Sequence, residues 1–345
     1  MTNVRIRGER VRRYIIDQVE KHPSDIARVT AEKFGISRQA VNKHIQNLVD
    51  ENALLTAGQT RNRTYKLCPL AEWDKTYALE PTLAEDVVWR NDVAPSLGQL
   101  PGNALDIWHY GFTEMFNNAV DHSAGSTISV QLRKTAATTE LAIYDDGIGI
   151  FRKIQDELGL LDERHAILEL AKGKLTTDPQ HHTGEGIFFT SRMFDGYEIL
   201  SGGTHFSHNF GDDEDWILER DRYSTGTTVW MRLHNHTART LKRVFDQFTS
   251  EDDIGFSKTV VPVRLAQYGD DKLVSRSQAK RLLARIDRFR TVIFDFNSVE
   301  YIGRAFADEI FRVFANKHPG VHLLEINTNG SVRDIIARAR AAASR

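Results

Sequence analysis

The chain has 345 residues, of which 41% are hydrophobic and 27% charged, a composition typical of a folded protein with room for two or three domains. Cys68 is the only cysteine, which excludes an internal disulfide and is typical of a reducing cytoplasm. No apolar run approaches the ~20 residues of a membrane-spanning helix. The basic N-terminus lacks the apolar stretch of a signal peptide, so we expect a cytoplasmic protein without a membrane partner.

Charge is unevenly distributed along the chain. Residues 1–68 carry 13 Lys/Arg and 7 Asp/Glu, a net charge of +6, whereas the whole chain has a net charge of −2. The remainder is therefore acidic. This asymmetry is typical of a nucleic-acid-binding module attached to an acidic body.

The pattern of residues 1–68 predicts three helices followed by a β-hairpin. The second helix is predicted to start at the N-cap Ser24 and to stop at Gly35, and the third to start at the N-cap Ser37. The exposed face of the third helix and the hairpin offer side chains that suit base edges and phosphates. These candidate DNA-binding residues are Arg38, Gln39, Asn42, Lys43, Arg61 and Arg63.

This region resembles the winged helix-turn-helix family, chiefly in the stretch AEKFGISRQAVNKHIQNLVDENAL. The resemblance implies that the third helix enters the major groove of double-stranded DNA and that the hairpin contacts the phosphate backbone. A small helical domain used for protein contacts or dimerisation is the alternative.

Two motifs with polar side chains follow. The helical stretch FTEMFNNAVDHS places Glu114 one turn before Asn118, on a stripe beside the apolar face. Asp145 then ends a strand in a D-x-G-x-G turn with Gly147 and Gly149, where a carboxylate can accept a hydrogen bond from an exocyclic amine. For Glu114 and Asn118 the alternative is a solvated helix edge, and for the turn it is a plain loop.

Two further motifs are built on glycine. Gly184 and Gly186 precede a predicted helix, and the free N–H groups of a helix N-terminus form an anion site. Gly226 and Thr227 are predicted at the start of a strand. About 33 polar residues separate Gly149 of the D-x-G-x-G turn from Gly184, and a loop of that length predicts a functional lid or a disordered segment.

In this order the four motifs resemble those of the GHKL ATPase family, over about residues 105–235. The resemblance implies an α/β sandwich of the Bergerat type that binds ATP between helices and sheet. It assigns magnesium ligation to Asn118, adenine recognition to Asp145, and orientation or deprotonation of the attacking water to Glu114. Lys172 and Lys174 are expected to meet the γ-phosphate from the lid. The other nucleotide-binding residues that it implies are Gly147, Gly149, Gly184, Gly186 and Thr227.

From about residue 255 strands and helices alternate, which predicts a separate small α/β domain. The stretch DFNSVEYIGRAFADEIF resembles the STAS fold of anti-anti-sigma factors, in a STAS-like variant. Phosphorylated STAS switches carry a serine at the start of the following helix, where this chain has Gly303, Arg304, Ala305 and Phe306. The missing hydroxyl disfavours a phosphoswitch and favours docking of a protein partner or an allosteric role. A purely stabilising module is the alternative.

Together these predictions describe a multidomain α/β protein with a winged helix domain at 1–68, a GHKL ATPase domain at 71–240 and a STAS-like domain at 255–345. We expect an ATP- and magnesium-dependent regulator whose nucleotide state switches binding to DNA or to a partner, with a homodimer as a further candidate assembly. Two other functions compete: a serine/threonine protein kinase of the anti-sigma type, and a DNA clamp or remodeller of the topoisomerase–MutL type. The sequence leaves open whether ATP is hydrolysed, transferred or only sensed.

Overall fold

The computed structural model describes residues 3–59, 62–175, 184–211, 216–249, 255–267 and 272–343. Within these ranges the chain is a mixed α/β protein with three sheets, which agrees with the predicted class. Among the described helices, none has both the length and the apolar character needed to cross a membrane.

The N-terminal module contains the predicted helices and hairpin. Ser37 is the N-cap of its third helix, since the Ser37 hydroxyl accepts a hydrogen bond from the Ala40 N–H at 3.2 Å. The predicted cap of the second helix is wrong by one residue: Asp25 precedes that helix instead of Ser24, and Asp25 is held there by His22 and Arg28. The elements are α1 (Asn3–Gln18), α2 (Ile26–Phe34), α3 (Arg38–Asp50), β1 (Leu54–Ala57) and β2 (Thr64–Leu67).

The central part of the chain forms a five-stranded antiparallel sheet in the order β3-β4-β5-β7-β6. Its strands bury alternate residues, so that one face of the sheet packs into the core. The strands are β3 (Ala71–Ala78), β4 (Thr127–Lys134), β5 (Thr138–Asp145), β6 (Gly196–Asn209) and β7 (Trp216–His234). The accompanying helices are α4 (Glu85–Val88), α5 (Ala94–Leu97), α6 (Gly102–His122), α7 (Ile150–Leu158), α8 (Glu163–Lys172), α9 (Gly186–Met193) and α10 (Leu241–Asp246).

Two predictions for the central part are wrong. The segment from the D-x-G-x-G turn to Gly184 is not one long loop, because α7 and α8 occupy most of it. These two helices bury apolar residues such as Phe151 and Ile167. Only residues 176–183 of that segment lie outside the described part of the chain. Gly226 and Thr227 do not start a strand either, since β7 begins ten residues earlier, at Trp216.

The N-terminal module contacts one end of the central sheet. Ala137, in the turn between β4 and β5, is buried in the small core of the module. His234 at the end of β7 places its Nε2 atom 3.2 Å from Asp17 Oδ1 of α1. That hydrogen bond raises the pKa of His234 above its ordinary value.

The last part of the chain, residues 255–343, is called the C-terminal unit below. Its parallel sheet has the order β10-β9-β8 and comprises β8 (Lys258–Pro262), β9 (Thr291–Asp295) and β10 (His322–Ile326). Its helices are α11 (Arg276–Leu283), α12 (Arg304–Asp308), α13 (Ala315–Lys317) and α14 (Gly330–Ala343). Strand β8 ends at Pro262, where a 3-10 turn over Val263–Ala266 follows. One hydrophobic core runs from Val88 to Ala339 and so includes both the central sheet and the C-terminal unit.

Candidate functional site

One cavity of about 340 Å³ lies beside the central sheet. Its volume falls within the ~300–1,000 Å³ range of small-molecule sites. Seven of the nine residues that the four sequence motifs single out line it, although they come from four separate stretches of the chain. The seven are Glu114, Asn118, Asp145, Gly149, Gly184, Gly186 and Thr227.

Helix α6 supplies the two polar side chains of the first motif. Its apolar stripe, including Phe112 and Phe116, is fully buried, and this orientation turns the neighbouring stripe towards the cavity. Glu114 and Asn118 lie on that second stripe, are half-buried and line the cavity one helical turn apart. Both side chains carry an oxygen atom and border the same cavity.

Asp145 ends β5 and is buried at the base of the cavity. Its Oδ1 atom accepts hydrogen bonds from the backbone N–H groups of Gly147 at 3.0 Å and Thr227 at 3.3 Å. Burial raises the pKa of Asp145, and the two backbone hydrogen bonds oppose that rise. The Thr227 hydroxyl accepts from the Ile150 N–H at 3.0 Å, which ties β7 to the start of α7. Gly147 itself does not line the cavity and instead helps to fix Asp145.

Gly186 is the first residue of α9 and lies directly beside Glu114, and both residues line the cavity. A Cβ atom at this position would lie 2.0 Å from Glu114 Oε2. The space that a side chain would fill is thus occupied by the carboxylate. Gly184, two residues earlier, accepts a hydrogen bond from the Leu175 N–H at 3.1 Å, so the chain on both sides of residues 176–183 meets at the cavity.

Lys153 of α7 is a cavity-lining cation that belongs to none of the four sequence motifs. Its ammonium donates to the His122 carbonyl at the end of α6, at 3.0 Å. Lys153 follows Ile150 by three residues, and this helical spacing puts both side chains on the side of α7 that borders the cavity. That spacing was readable from the sequence once a helix after the D-x-G-x-G turn had been recognised.

Lys172 does not line the cavity, contrary to the prediction that it reaches a γ-phosphate. Its side chain is 2% exposed, and its ammonium donates to Glu169 and to two backbone carbonyls of the C-terminal unit. Burial lowers the pKa of Lys172, and the Glu169 carboxylate opposes that shift. Lys174 is likewise directed towards the C-terminal unit, where its ammonium donates to the Arg288 carbonyl at 3.3 Å.

The side chains predicted to contact DNA lie on the surface. Those on α3 occupy its solvent face, opposite the buried residues Val41 and Ile45. Arg63, before β2, is exposed as well, whereas Arg61 lies outside the described residues. The predicted DNA-contacting residues of α3, all of them exposed, are Arg38, Gln39, Asn42 and Lys43.

Comparison with known proteins identifies one part of the chain. The model of a STAS-like domain of unknown function matches residues 278–333. This stretch begins in α11 and ends in α14, so the prediction of a STAS-like part is confirmed over these residues. A search of curated proteins found no match to this chain.

Proposed function

We propose that the chain is an ATP-binding, magnesium-dependent and DNA-binding regulator of the GHKL type, and that its nucleotide state switches its binding to DNA or to a partner. One observation carries the proposal. Motif residues that are up to 113 positions apart, from Glu114 to Thr227, line a single cavity of the right size for a small molecule. A set of unrelated surface motifs would have no reason to converge in this way.

The chemistry of the lining residues fits a magnesium nucleotide. Asn118 offers an amide oxygen, the type of ligand that magnesium prefers. Asp145 is a buried acceptor for an exocyclic amine, and the N-terminus of α9 at Gly186 provides N–H groups suited to phosphate. Bound magnesium-ATP would supply the phosphoanhydride, and the role of Glu114 would be to hold or deprotonate a water molecule beside it.

The surrounding architecture supports the same reading. An antiparallel sheet with α6, α7 and α9 packed beside it is the arrangement expected of a GHKL sandwich. Three helices followed by a hairpin, with the third helix exposing its polar face, agree with a winged helix that binds double-stranded DNA. The contact between Asp17 and His234 joins this module to β7, the strand that carries Thr227.

The test separates nucleotide binding from hydrolysis with variants of one helix. Asn118→Ala should weaken magnesium-ATP binding at least ~10-fold, since a hydrogen bond or ligand contact to a charged group contributes about 1.5–3 kcal/mol. Glu114→Gln should retain binding and lose about 10²–10⁴-fold in hydrolysis, the usual contribution of a positioned general base. Asn117→Ala is the matched control, because Asn117 is the same residue type on α6 but does not line the cavity.

Both measurements are made on the full chain, with calorimetry for affinity and phosphate release for turnover. Equal affinities of Asn118→Ala and Asn117→Ala for the nucleotide would contradict the proposed site. Wild-type turnover by Glu114→Gln would leave binding intact but remove the hydrolytic role.

A further inference from the structure

Helices α8 and α9 form a wall that has the cavity on one side and the C-terminal unit on the other. Leu170 and Leu175, at the end of α8 and just beyond it, line the cavity, as do Gly186 and Ile187 at the start of α9. The same two helices pack against the C-terminal unit through other residues. Any displacement of this wall therefore changes both the cavity and the C-terminal unit.

Lys172 is the polar centre of that packing. Its ammonium donates to Glu169 Oε1 at 2.8 Å, to the Arg281 carbonyl at 2.9 Å and to the Ala284 carbonyl at 3.0 Å. An ammonium has three N–H groups, so these three acceptors use all of its donors. The two carbonyls lie at the C-terminus of α11, where a positive charge is favourable. The Arg281 carbonyl also accepts a hydrogen bond from the Ala284 N–H at 3.3 Å.

The backbone of Lys172 and its neighbours is also bound. The Thr259 hydroxyl of β8 donates to the Lys172 carbonyl at 2.7 Å. One turn back along α8, the second oxygen of Glu169 lies 3.6 Å from the guanidinium of Arg285. Arg288 donates to the Lys174 carbonyl at 3.1 Å. These contacts connect the end of α8 and the residues just after it to three different residues of the C-terminal unit.

Apolar contacts hold α9 in the same way. Phe256, two residues before β8, packs against Phe188 with ring centroids 4.5 Å apart and against Phe189 with ring centroids 4.9 Å apart. All three side chains are buried. Phe188 follows Gly186 by two residues, so the packed ring is close in sequence to the residue that lies beside Glu114.

We propose that Lys172 is a positioning residue that holds the α8–α9 wall on the C-terminal unit, so that occupancy of the cavity and the conformation of the C-terminal unit are coupled. The inference rests on the proposed nucleotide site and assigns a role to the STAS-like part of the chain. By thermodynamic reciprocity, a partner that alters the C-terminal unit changes nucleotide affinity by the same factor by which nucleotide changes partner affinity, typically about 5–150-fold.

Hydrogen–deuterium exchange on the full chain tests the coupling with a magnesium complex of a non-hydrolysable ATP analogue as the probe. Amides of residues 145–150 report on the cavity, and those of residues 276–284 report on α11. In the wild type the analogue should slow exchange in both stretches. In Lys172→Met, which keeps an apolar stem but removes the three donated hydrogen bonds, the slowing should persist at 145–150, disappear at 276–284, and be accompanied by ~5-fold weaker analogue binding.

Two further variants keep the test decisive. Thr259→Val removes a single hydrogen bond to the Lys172 carbonyl with little change of shape, and it should reduce the response of α11 even if Lys172→Met fails to fold. Lys280→Met is the control, since Lys280 is an exposed lysine on α11 itself and should behave as wild type. A merely structural role of Lys172 would lower the melting temperature without changing the ratio of exchange rates with and without the analogue.

The possible results separate the two proposals. Slowing at 145–150 without slowing at 276–284 in the wild type would overturn the coupling and leave the nucleotide site standing. A full α11 response in both Lys172→Met and Thr259→Val would overturn the role of Lys172. If the analogue slows exchange in neither of the two stretches and binds without measurable heat, both the nucleotide site and the coupling are refuted.

Discussion

Gly186→Ala is expected to impair catalysis in the proposed nucleotide site by displacing Glu114. The added Cβ would lie 2.0 Å from Glu114 Oε2, whereas real Cβ atoms essentially never approach another atom within 3.0 Å. The carboxylate must therefore retreat by at least about 1 Å. A misplacement of ~1 Å in a catalytic arrangement costs about 10²-fold in rate.

The same substitution should leave the fold intact. The atom that must move is the far end of a flexible side chain, since the Glu114 backbone is not among the close neighbours. Gly186 begins α9 in a helical conformation, and alanine is favoured over glycine within helices by up to about 1 kcal/mol. The melting temperature should accordingly be unchanged or slightly raised.

The assay is phosphate release at saturating magnesium-ATP, with thermal unfolding measured on the same samples. Gly102→Ala is the matched control, because Gly102 also begins a helix, α6, and its Cβ would have no neighbour within 4 Å. We expect a loss of about 10²-fold for Gly186→Ala and none for Gly102→Ala. Turnover by Gly186→Ala at the rate of the control would refute the argument that the position of Glu114 matters.

DNA binding by the N-terminal module, measured by fluorescence anisotropy, should weaken as salt is added. Neutralising each of four cations should reduce the slope of log binding constant against log salt concentration by ~0.9, and an unchanged slope in the quadruple variant would contradict DNA binding through these residues. The four cations are Arg38, Lys43, Arg61 and Arg63. Burial raises the pKa of Asp145 above that of the unfolded chain. The free energy of unfolding should therefore fall as the pH rises from about 4 through that raised pKa, since the native state holds the proton longer than the unfolded state does. Urea denaturation should show Asp145→Asn gaining stability relative to wild type across that pH range, and a constant difference would count against the shift. After incubation with labelled ATP, residues 255–345 should carry no phosphate, because Gly303, Arg304 and Ala305 offer no hydroxyl at the start of α12. A stoichiometric phosphate mapped to these residues would contradict the argument against a phosphoswitch.

The lining of the cavity was predictable to the extent that its chemistry is local. Glu114 and Asn118 share a helix face because residues four apart are neighbours, and no tertiary information is needed for that. Asp145 was identifiable because glycines follow it at a strand end. The meeting of these motifs with Thr227 depends on β5 pairing with β7, which periodicity alone does not predict. The family resemblance supplied that long-range order.

The environment of Lys172 could not be predicted in the same way. Its acceptors in the C-terminal unit are backbone carbonyls 109 and 112 residues further along the chain. Every residue has a carbonyl, so the sequence carries no mark of which one will accept. The helix that bears Lys172 was easier to predict from the sequence. Asp162 caps it by accepting a hydrogen bond from the Arg164 N–H at 2.8 Å, and aspartate is a common residue at helix starts. The polar composition of the segment obscured that signal.

The stacking of Phe256 on Phe188 and Phe189 has a consequence for how such a chain can be rearranged in evolution. A gene truncated before residue 255 would encode a protein with these two side chains, and much of the core beyond them, open to water. Exposed apolar patches of this kind promote aggregation. In the described part of the chain, by contrast, Ala137 is the only buried residue of the N-terminal module's small core that comes from outside residues 11–67. Recombination should therefore exchange the N-terminal module between related genes far more readily than the C-terminal unit, which is inherited together with the cavity that it supports.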